Sequence, residues 1–472
     1  MSKILKGFKE KILVVGDIIL DYYAIGSISK FAQEAPVPVF LKNDEVYKLG
    51  GAGNVFYNIH ALGINVDLMG AVGNDEYGNK ILKLVRELNN EISYIYINNM
   101  KTTVKKRYLC KNGQEIFRED IESNNDCRNE QIVLNVFESI FEKYSLIVFS
   151  DYNKGFLTAR LLSKMLKISK KHGIKTLVDP KGNSFEKYRY SYLIKPNINE
   201  FCEMYGSKIS MEDILSRSEK ILDKFFLERL IITCDKEGVI FLKKNQKAIH
   251  IRNSSVLKNS NVVGAGDVFM AVFAVCLLYN IDEIDALKIA NAVASVTIDG
   301  LYTCCISNDT INKIFLNEKI IKSTEQLKLI RTFCYNKKIV FTNGCFDMLH
   351  VGHLSLLKEA KQLGDVLVVG INSDCSVKKL KGKNRPIISL EERIKQLSDF
   401  SVADLIVPFN EDTPIDIITN LKPDILVKGN EYFNKPLAGS DYVKNIGGQV
   451  VYLKMLPDIS TTKIIKEEKN YD

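Results

Sequence analysis

Three short apolar runs constrain the fold most: KILVVGD (11–17), SLIVFSD (145–151) and IKTLVDP (174–180). Each is rich in β-branched residues and runs into a small or acidic residue at its end. Helical patterns such as ARLLSKMLKISKKHG (159–173) lie between them. That alternation specifies βα units around a mainly parallel sheet. Ligands of such sheets bind at the carboxyl ends of the strands, where Asp17, Asp151 and Asp179 are expected. The pattern loosens into the polar, lysine-rich stretch NDTINKIFLNEKIIKSTEQ (308–326) and then restarts. KKIVFTNG (337–344), GDVLVVGINSD (364–374), ADLIVPF (403–409), PDILVKGNEY (423–432) and GGQVVYL (447–453) predict a second, smaller α/β sheet. At 472 residues the chain is too long for one ordinary domain.

Bulk properties exclude several function classes. Apolar residues make up 46% and charged residues 26%, the balance of a soluble globular protein. The net charge of +8 is a mild excess that suits anionic ligands such as phosphates. No dense Lys/Arg block with interleaved aromatics points to nucleic acid. The ten cysteines include no C-x-x-C pair, which argues against a zinc knuckle or a disulfide framework and for reduced thiols. The N-terminal sequence lacks the pattern of a signal peptide. The longest apolar run, VFMAVFAVCLLYNI (268–281), is short for a membrane span and predicts a buried core helix. A cytoplasmic protein without membrane or nucleic-acid partners is expected.

Two glycine clusters mark the first part. LGGAGNV (49–55) lets backbone approach a ligand closely. In VVGAGDVFMAVFA (262–274), Gly264, Ala265 and Gly266 immediately precede the apolar helix, so free N–H groups there can receive an anion. Asp267 at that mouth has the chemistry of a base for a substrate hydroxyl. A capped helix with a favourable first-turn Asp is the alternative.

These clusters share the first part with GDIILD (16–21), SDYNKG (150–155), DPKG (179–182), KPNINE (195–200) and TCDKEG (233–238), all before GAGD. The set resembles the ribokinase-like sugar kinases over about 1–307. EAPVPV (34–39), SDYNKG and DPKG resemble the heptose-phosphate kinases in particular. The resemblance implies a ribokinase-like α/β domain over 1–315. Asp17, Asp21, Gly50, Gly51, Asn54, Lys105, Arg107, Asp151 and Lys154 would bind the sugar substrate. Asn197 and Glu200 would organise magnesium and phosphate. Thr233, Gly238, Gly264, Ala265 and Gly266 would hold nucleotide, and Asp267 would deprotonate the attacking hydroxyl. Mg2+ would come with ATP, near Glu200, without a protein-only metal site.

Relatives read D-V-T/S-G-A-G-D, whereas Asn261 and Val263 stand here, and Tyr302 replaces a usual glycine in DGLYTCCIS (299–307). In relatives these positions surround the nucleotide and a monovalent-cation site. An active kinase with a weak or absent potassium response is therefore expected. A non-catalytic sugar-phosphate sensor or dimerisation platform is the alternative for this half.

The stretch TNGCFDMLHVGHL (342–354) holds two of the chain's five histidines, His350 and His353, with Gly352 between them. Zinc would need further ligands, but His60, His172 and His250 all lie in the first part and H-E-x-x-H is absent. Two capping or surface histidines would leave Gly352 unexplained, since a glycine there lets backbone come close to a ligand. H-x-G-H after TNGCFD resembles the nucleotidyltransferase signature. With GINSD, LKGKNRPI, EDTP, LVKG and ISTTKII (459–465) it resembles the heptose 1-phosphate adenylyltransferases over about 337–470.

That resemblance implies a Rossmann-like adenylyltransferase domain over 337–472, after a linker and lead-in helix over 316–336. His350 and His353 would donate to the α-phosphate region. Thr342, Asn343, Gly344, Phe346, Asp374, Lys381, Arg385, Lys428, Ser460, Thr461 and Thr462 would hold nucleotide and phosphate. The two modules in this order resemble the bifunctional heptose 7-phosphate kinase/heptose 1-phosphate adenylyltransferases. The implied partners are ATP, heptose 7-phosphate and heptose 1-phosphate. A homodimer through the kinase domain and a separate heptose bisphosphate phosphatase are also implied. The same chemistries on another sugar phosphate, or with CTP, remain the rival reading.

Overall fold

The computed structural model describes residues 11–88, 94–122, 130–252, 263–296, 302–303, 305–306, 327, 330–331, 334, 337–382 and 384–454. The chain divides into two compact units, one spanning Lys9–Thr310 and one containing Ile311–Asp472.

The first unit is built on a nine-stranded sheet. Ile12–Gly16 pairs in parallel with Val66–Gly73 on one side and with Leu146–Ser150 on the other. The parallel run continues through Lys175–Asp179 and Leu193–Ile194 to Arg229–Thr233. Tyr94–Asn98 closes the near edge, also in parallel. ILVVG and LIVFS are buried at every position, as strands must be when both faces of a parallel sheet are covered. At the far edge the sheet turns antiparallel, with Val239–Lys243 and Ile249–Ile251 added as hairpin strands. The link from Thr233 to Val239 is one short 3-10 turn, Asp235–Glu237, too short for a parallel crossover.

The helix Ala265–Leu278 is buried from Asp267 onward. Apolar residues on all its faces make it a core element. Among the described residues no helix is long and apolar enough to cross a membrane.

A second, four-stranded sheet was not foreseen from the sequence. Its order is Pro38–Gly51, Ile18–Phe31, Val104–Cys110, Glu115–Ile121. Ile18–Phe31 is antiparallel to Pro38–Gly51 and parallel to Val104–Cys110. It starts one residue after Asp17, so Asp17 stands where the chain leaves one sheet for the other. The strand is buried at its start and exposed at its end, a gradient that carries no period-2 signal.

The second unit is a five-stranded parallel sheet. Its order is Leu405–Phe409, Val366–Asn372, Ile339–Gly344, Ile425–Gly429, Gln449–Leu453. The chain winds outward to one side of Ile339–Gly344 and then returns to its other side. The carboxyl ends of Ile339–Gly344 and Ile425–Gly429 therefore flank a topological switch point, the usual ligand crevice of such a sheet.

Candidate active sites

In the first unit, Gly264 caps the core helix at φ 87°, a conformation glycine adopts without steric cost. One turn on, the buried carboxylate of Asp267 accepts from Asn54 Nδ2 at 2.8 Å and from the Tyr152 hydroxyl at 2.8 Å. The Asn54 amide is itself oriented, because Asn58 Nδ2 donates to Asn54 Oδ1 at 3.1 Å. Burial pushes the Asp267 carboxyl up to about 7 and Asp179 adds to this, while Asn54, Tyr152 and Lys195 oppose it. A carboxyl poised there can take a proton at neutral pH.

Asp21 is buried against Arg107 Nη1 at 2.9 Å and the Thr303 hydroxyl at 2.7 Å. A side chain at Gly50 would lie 2.5 Å from Asp21 Oδ2, and Gly51 adopts φ 59°. The glycine pair is thus required by the fold. Lys105 lies over the Tyr152 ring at 5.1 Å, and burial pushes its amine down.

Asp17 accepts three backbone N–H groups, from Tyr152 (2.8 Å), Lys154 (3.1 Å) and Phe156 (3.1 Å). Burial pushes it up to about 6 and Asp151 adds to this, against those three donors. Its role in this structure is to shape the SDYNKG loop. Asp151 is likewise engaged by Lys187 and the Tyr188 hydroxyl, and Lys154 pairs with Glu122.

Asn197 and Glu200 form a capping box on the helix Ile198–Tyr205. Glu200 also accepts from Lys181 Nζ at 2.7 Å. Asp179 faces Lys195 at 3.1 Å, and burial pushes it up to about 6. Thr233 pairs with Asn197 across the strand ends, and Gly238 adopts φ 90° beyond them. Magnesium takes oxygen ligands and is held by one or two carboxylates with phosphate oxygens. Glu200, half-buried at the strand ends, fits that chemistry.

Tyr302 meets the Tyr23 ring edge-on at 5.1 Å, with Lys48 over its face at 5.2 Å. Asn261 lies outside the described residues.

In the second unit, the strand ending Thr342-Asn343-Gly344 turns sharply. Phe346 adopts φ 47°, is buried, and meets the His353 ring edge-on at 5.3 Å. A side chain at Gly344 would touch the Phe346 ring at 3.1 Å. His350 occupies the N-cap of the helix Val351–Gln362, yet its side chain makes no cap hydrogen bond. Its ring instead stacks on His353, with centroids 3.8 Å apart. Burial pushes both imidazoles down, His353 to about 4 with His350 and Lys381 adding. Both are neutral at pH 7. Among the described residues, buried His350 Nδ1 and Asn343 Oδ1 have no hydrogen-bond partner. Such groups cost about 1–3 kcal/mol each, and they mark a place kept for something other than packing.

Lys428 Nζ donates to the Asn343 carbonyl at 2.7 Å. Arg385 pairs with the buried carboxylate of Asp347, and Asp374 accepts from Arg393 at 2.7 Å. Ser460, Thr461 and Thr462 lie outside the described residues.

Among the residues of these sites that escaped the sequence reading are Tyr152, Lys181, Lys195 and Arg393. The first three sit inside the quoted motifs SDYNKG, DPKG and KPNINE, which was the available signal. Arg393 is fully buried and donates to the carbonyls of Cys345, Asn372 and Ile388. It ties the TNGCFD turn to the end of the neighbouring strand.

Comparison with known proteins agrees with this two-part reading. Residues 9–310 match the pfkB family carbohydrate kinases, and residues 341–467 match the cytidylyltransferase-like family. The chain is 37% identical over 464 residues to the bifunctional protein HldE of Campylobacter fetus, covering 97% of this chain and 99% of that protein. It is 37% identical over 473 residues to HldE of Haemophilus influenzae, covering 98% of each. Escherichia coli phosphofructokinase-2 superposes on 65% of this chain and 98% of its own with a TM-score of 0.53 at 18% identity, a likeness of fold.

Proposed function

The chain belongs to the bifunctional HldE family, a pfkB-type carbohydrate kinase joined to a nucleotidyltransferase, and on that premise we propose that its two units carry two ATP-dependent steps of ADP-heptose synthesis. The kinase unit phosphorylates D-glycero-β-D-manno-heptose 7-phosphate at O1. A separate phosphatase then removes the 7-phosphate. The second unit transfers AMP from ATP to the 1-phosphate and releases pyrophosphate. The product feeds lipopolysaccharide core or another surface glycan. The enzyme works in the cytoplasm as a homodimer through its kinase unit.

The observation that carries this reading is the occurrence, in one chain, of two unlike centres. One is a buried carboxyl poised near neutrality at a glycine-capped helix start. The other is a stacked pair of neutral histidines beside a switch point. In the first, Asp267 takes the proton of the sugar hydroxyl as its oxygen attacks the γ-phosphorus. Backbone N–H groups of the helix start face the charge that develops. In the second, the nucleophile is a phosphate oxygen, already anionic, so no base is needed. His350 and His353 donate hydrogen bonds to the α-phosphate region, and Lys428 and Lys381 add positive charge there. Magnesium, when bound with ATP, neutralises phosphate charge in both steps, and Glu200 would hold it in the kinase unit. The pair of donors on Asp267 favours an active kinase over a sugar-phosphate sensor.

The test is a coupled assay of the purified full chain with heptose 7-phosphate and ATP. ADP should form at once, and pyrophosphate only after a heptose bisphosphate phosphatase is added. Asp267→Asn should abolish the first release and spare transfer to heptose 1-phosphate. His353→Ala should do the reverse. Loss of both activities from either change, in a protein still folded by circular dichroism, would overturn the two-centre reading.

A further inference from the structure

The contact between Tyr152 and Asp267 is assigned by no motif. Tyr152 sits in the loop after Leu146–Ser150 and donates to Asp267 Oδ1 at 2.8 Å, while Asn54 holds Oδ2. Each oxygen then keeps accepting capacity for a substrate hydroxyl. Tyr152 is itself anchored twice. Its N–H donates to Asp17 Oδ2 at 2.8 Å, and Lys105 lies over its ring at 5.1 Å. A side chain held at backbone and ring delivers its hydroxyl to one place. Burial pushes the phenol well above its ordinary value and the Asp267 charge adds to this, so Tyr152 remains a donor across the working pH range. The other groups facing Asp267 are Asn54, Asp179 and Lys195, with the Cys305 thiol 3.7 Å from Asn54 Oδ1.

We infer that Tyr152 is a positioning residue for the kinase step, whose hydroxyl fixes the Asp267 carboxylate in place and holds it ionised for proton transfer. The inference rests on the reading of Asp267 as the base. During the step the sugar hydroxyl proton passes to Asp267, the new oxygen–γ-phosphorus bond forms and the bond from γ-phosphorus to ADP breaks. Tyr152 keeps its own proton throughout. Removing its hydroxyl weakens the ionised form of Asp267, so the carboxyl stays protonated, and unable to act as base, up to a higher pH than in the wild type. A stronger phenol donor does the opposite.

The experiment follows kcat/KM for ADP release against pH in the full-length wild type, in Tyr152→Phe, and in a chain carrying 3-fluorotyrosine at 152. The wild type should show an acid limb. In Tyr152→Phe that limb should move up by about one unit, a roughly tenfold loss on the acid side that closes at alkaline pH. In the fluorinated chain it should move down. A limb unmoved in both chains, or a loss equal at every pH, would overturn the role of Tyr152. If Tyr152→Phe fails to fold, the fluorinated chain, which keeps ring and hydroxyl, decides alone. A wild type with no acid limb would instead remove Asp267 as the base, so the two failures are distinct.

Discussion

The ammonium of Lys428 donates to the main-chain carbonyl of Asn343 at 2.7 Å, joining the carboxyl ends of the two strands between which the smaller sheet reverses. Burial pushes Lys428 down to about 8, against Cys345 and Glu431. The charged form therefore prevails below pH 8 and is lost as pH rises through that value. Pyrophosphate release should fall on the alkaline side of about 8. Lys428→Met should lower it by roughly a hundredfold, the usual effect of removing one preorganised donor. ADP release by the kinase unit should be unchanged. A flat alkaline profile would separate Lys428 from the chemistry.

In the proposed transfer step the two histidines act as neutral donors. Because His353 is pushed down to about 4, the transferase rate should show no limb near the ordinary histidine value and should decline only as pH approaches 4. Nor should it depend on zinc. Dialysis against a strong chelator, then excess magnesium, should restore full pyrophosphate release. Loss reversed only by zinc or cobalt would refute the assignment.

Glu283 gathers the Tyr192 hydroxyl (2.6 Å), Arg229 Nε (2.7 Å) and Lys243 Nζ (2.8 Å), fastening the helix Glu283–Val296 to the sheet. Burial works to raise its carboxyl, but Lys243, Tyr192 and Arg229 outweigh it and hold the group below its ordinary value. A depressed carboxyl contributes stability above its unfolded value, and this is lost as pH falls through the folded one. Glu283→Gln should destabilise the kinase unit by about 1–3 kcal/mol at pH 7, with the difference from wild type shrinking in acid. Urea denaturation at two pH values measures both.

The kinase should respond weakly or not at all to potassium. Val263 offers no hydroxyl, and Tyr302 fills space between Tyr23 and Lys48. Exchanging potassium for a large organic cation at fixed ionic strength should leave ADP release nearly unchanged. A several-fold activation would contradict this.

The parallel cores were legible because a strand covered on both faces must be largely apolar, and ILVVG and the LIVF of LIVFS are. The start of the core helix was legible from Gly264 and from the apolar run after Asp267. The small sheet was not, because Ile18–Phe31 grades from buried to exposed along its length rather than alternating. Arg393 was not legible either. In the sequence Glu391-Glu392-Arg393 it looks like part of a solvated segment, and the carbonyls it binds come from Cys345, 48 residues away, and Asn372, 21 away. The capping box of Asn197 and Glu200 shows a further limit. An N-x-x-E pattern has a local purpose, the capping of its own helix, that the four residues alone explain.

The partners of Asp267 come from distant parts of the chain, Asn54 at a separation of 213 residues and Tyr152 at 115. Contacts of that span form late and are costly in chain entropy. The proposed base thus acquires its hydrogen-bonding environment only when three remote segments have met. Kinase activity is accordingly a reporter of completed closure of its sheet. A chain cut so that the segment of Asn54 or of Tyr152 is lost would retain a carboxylate at position 267 without the donors that orient it, so such fragments would be chemically silent rather than wasteful of ATP.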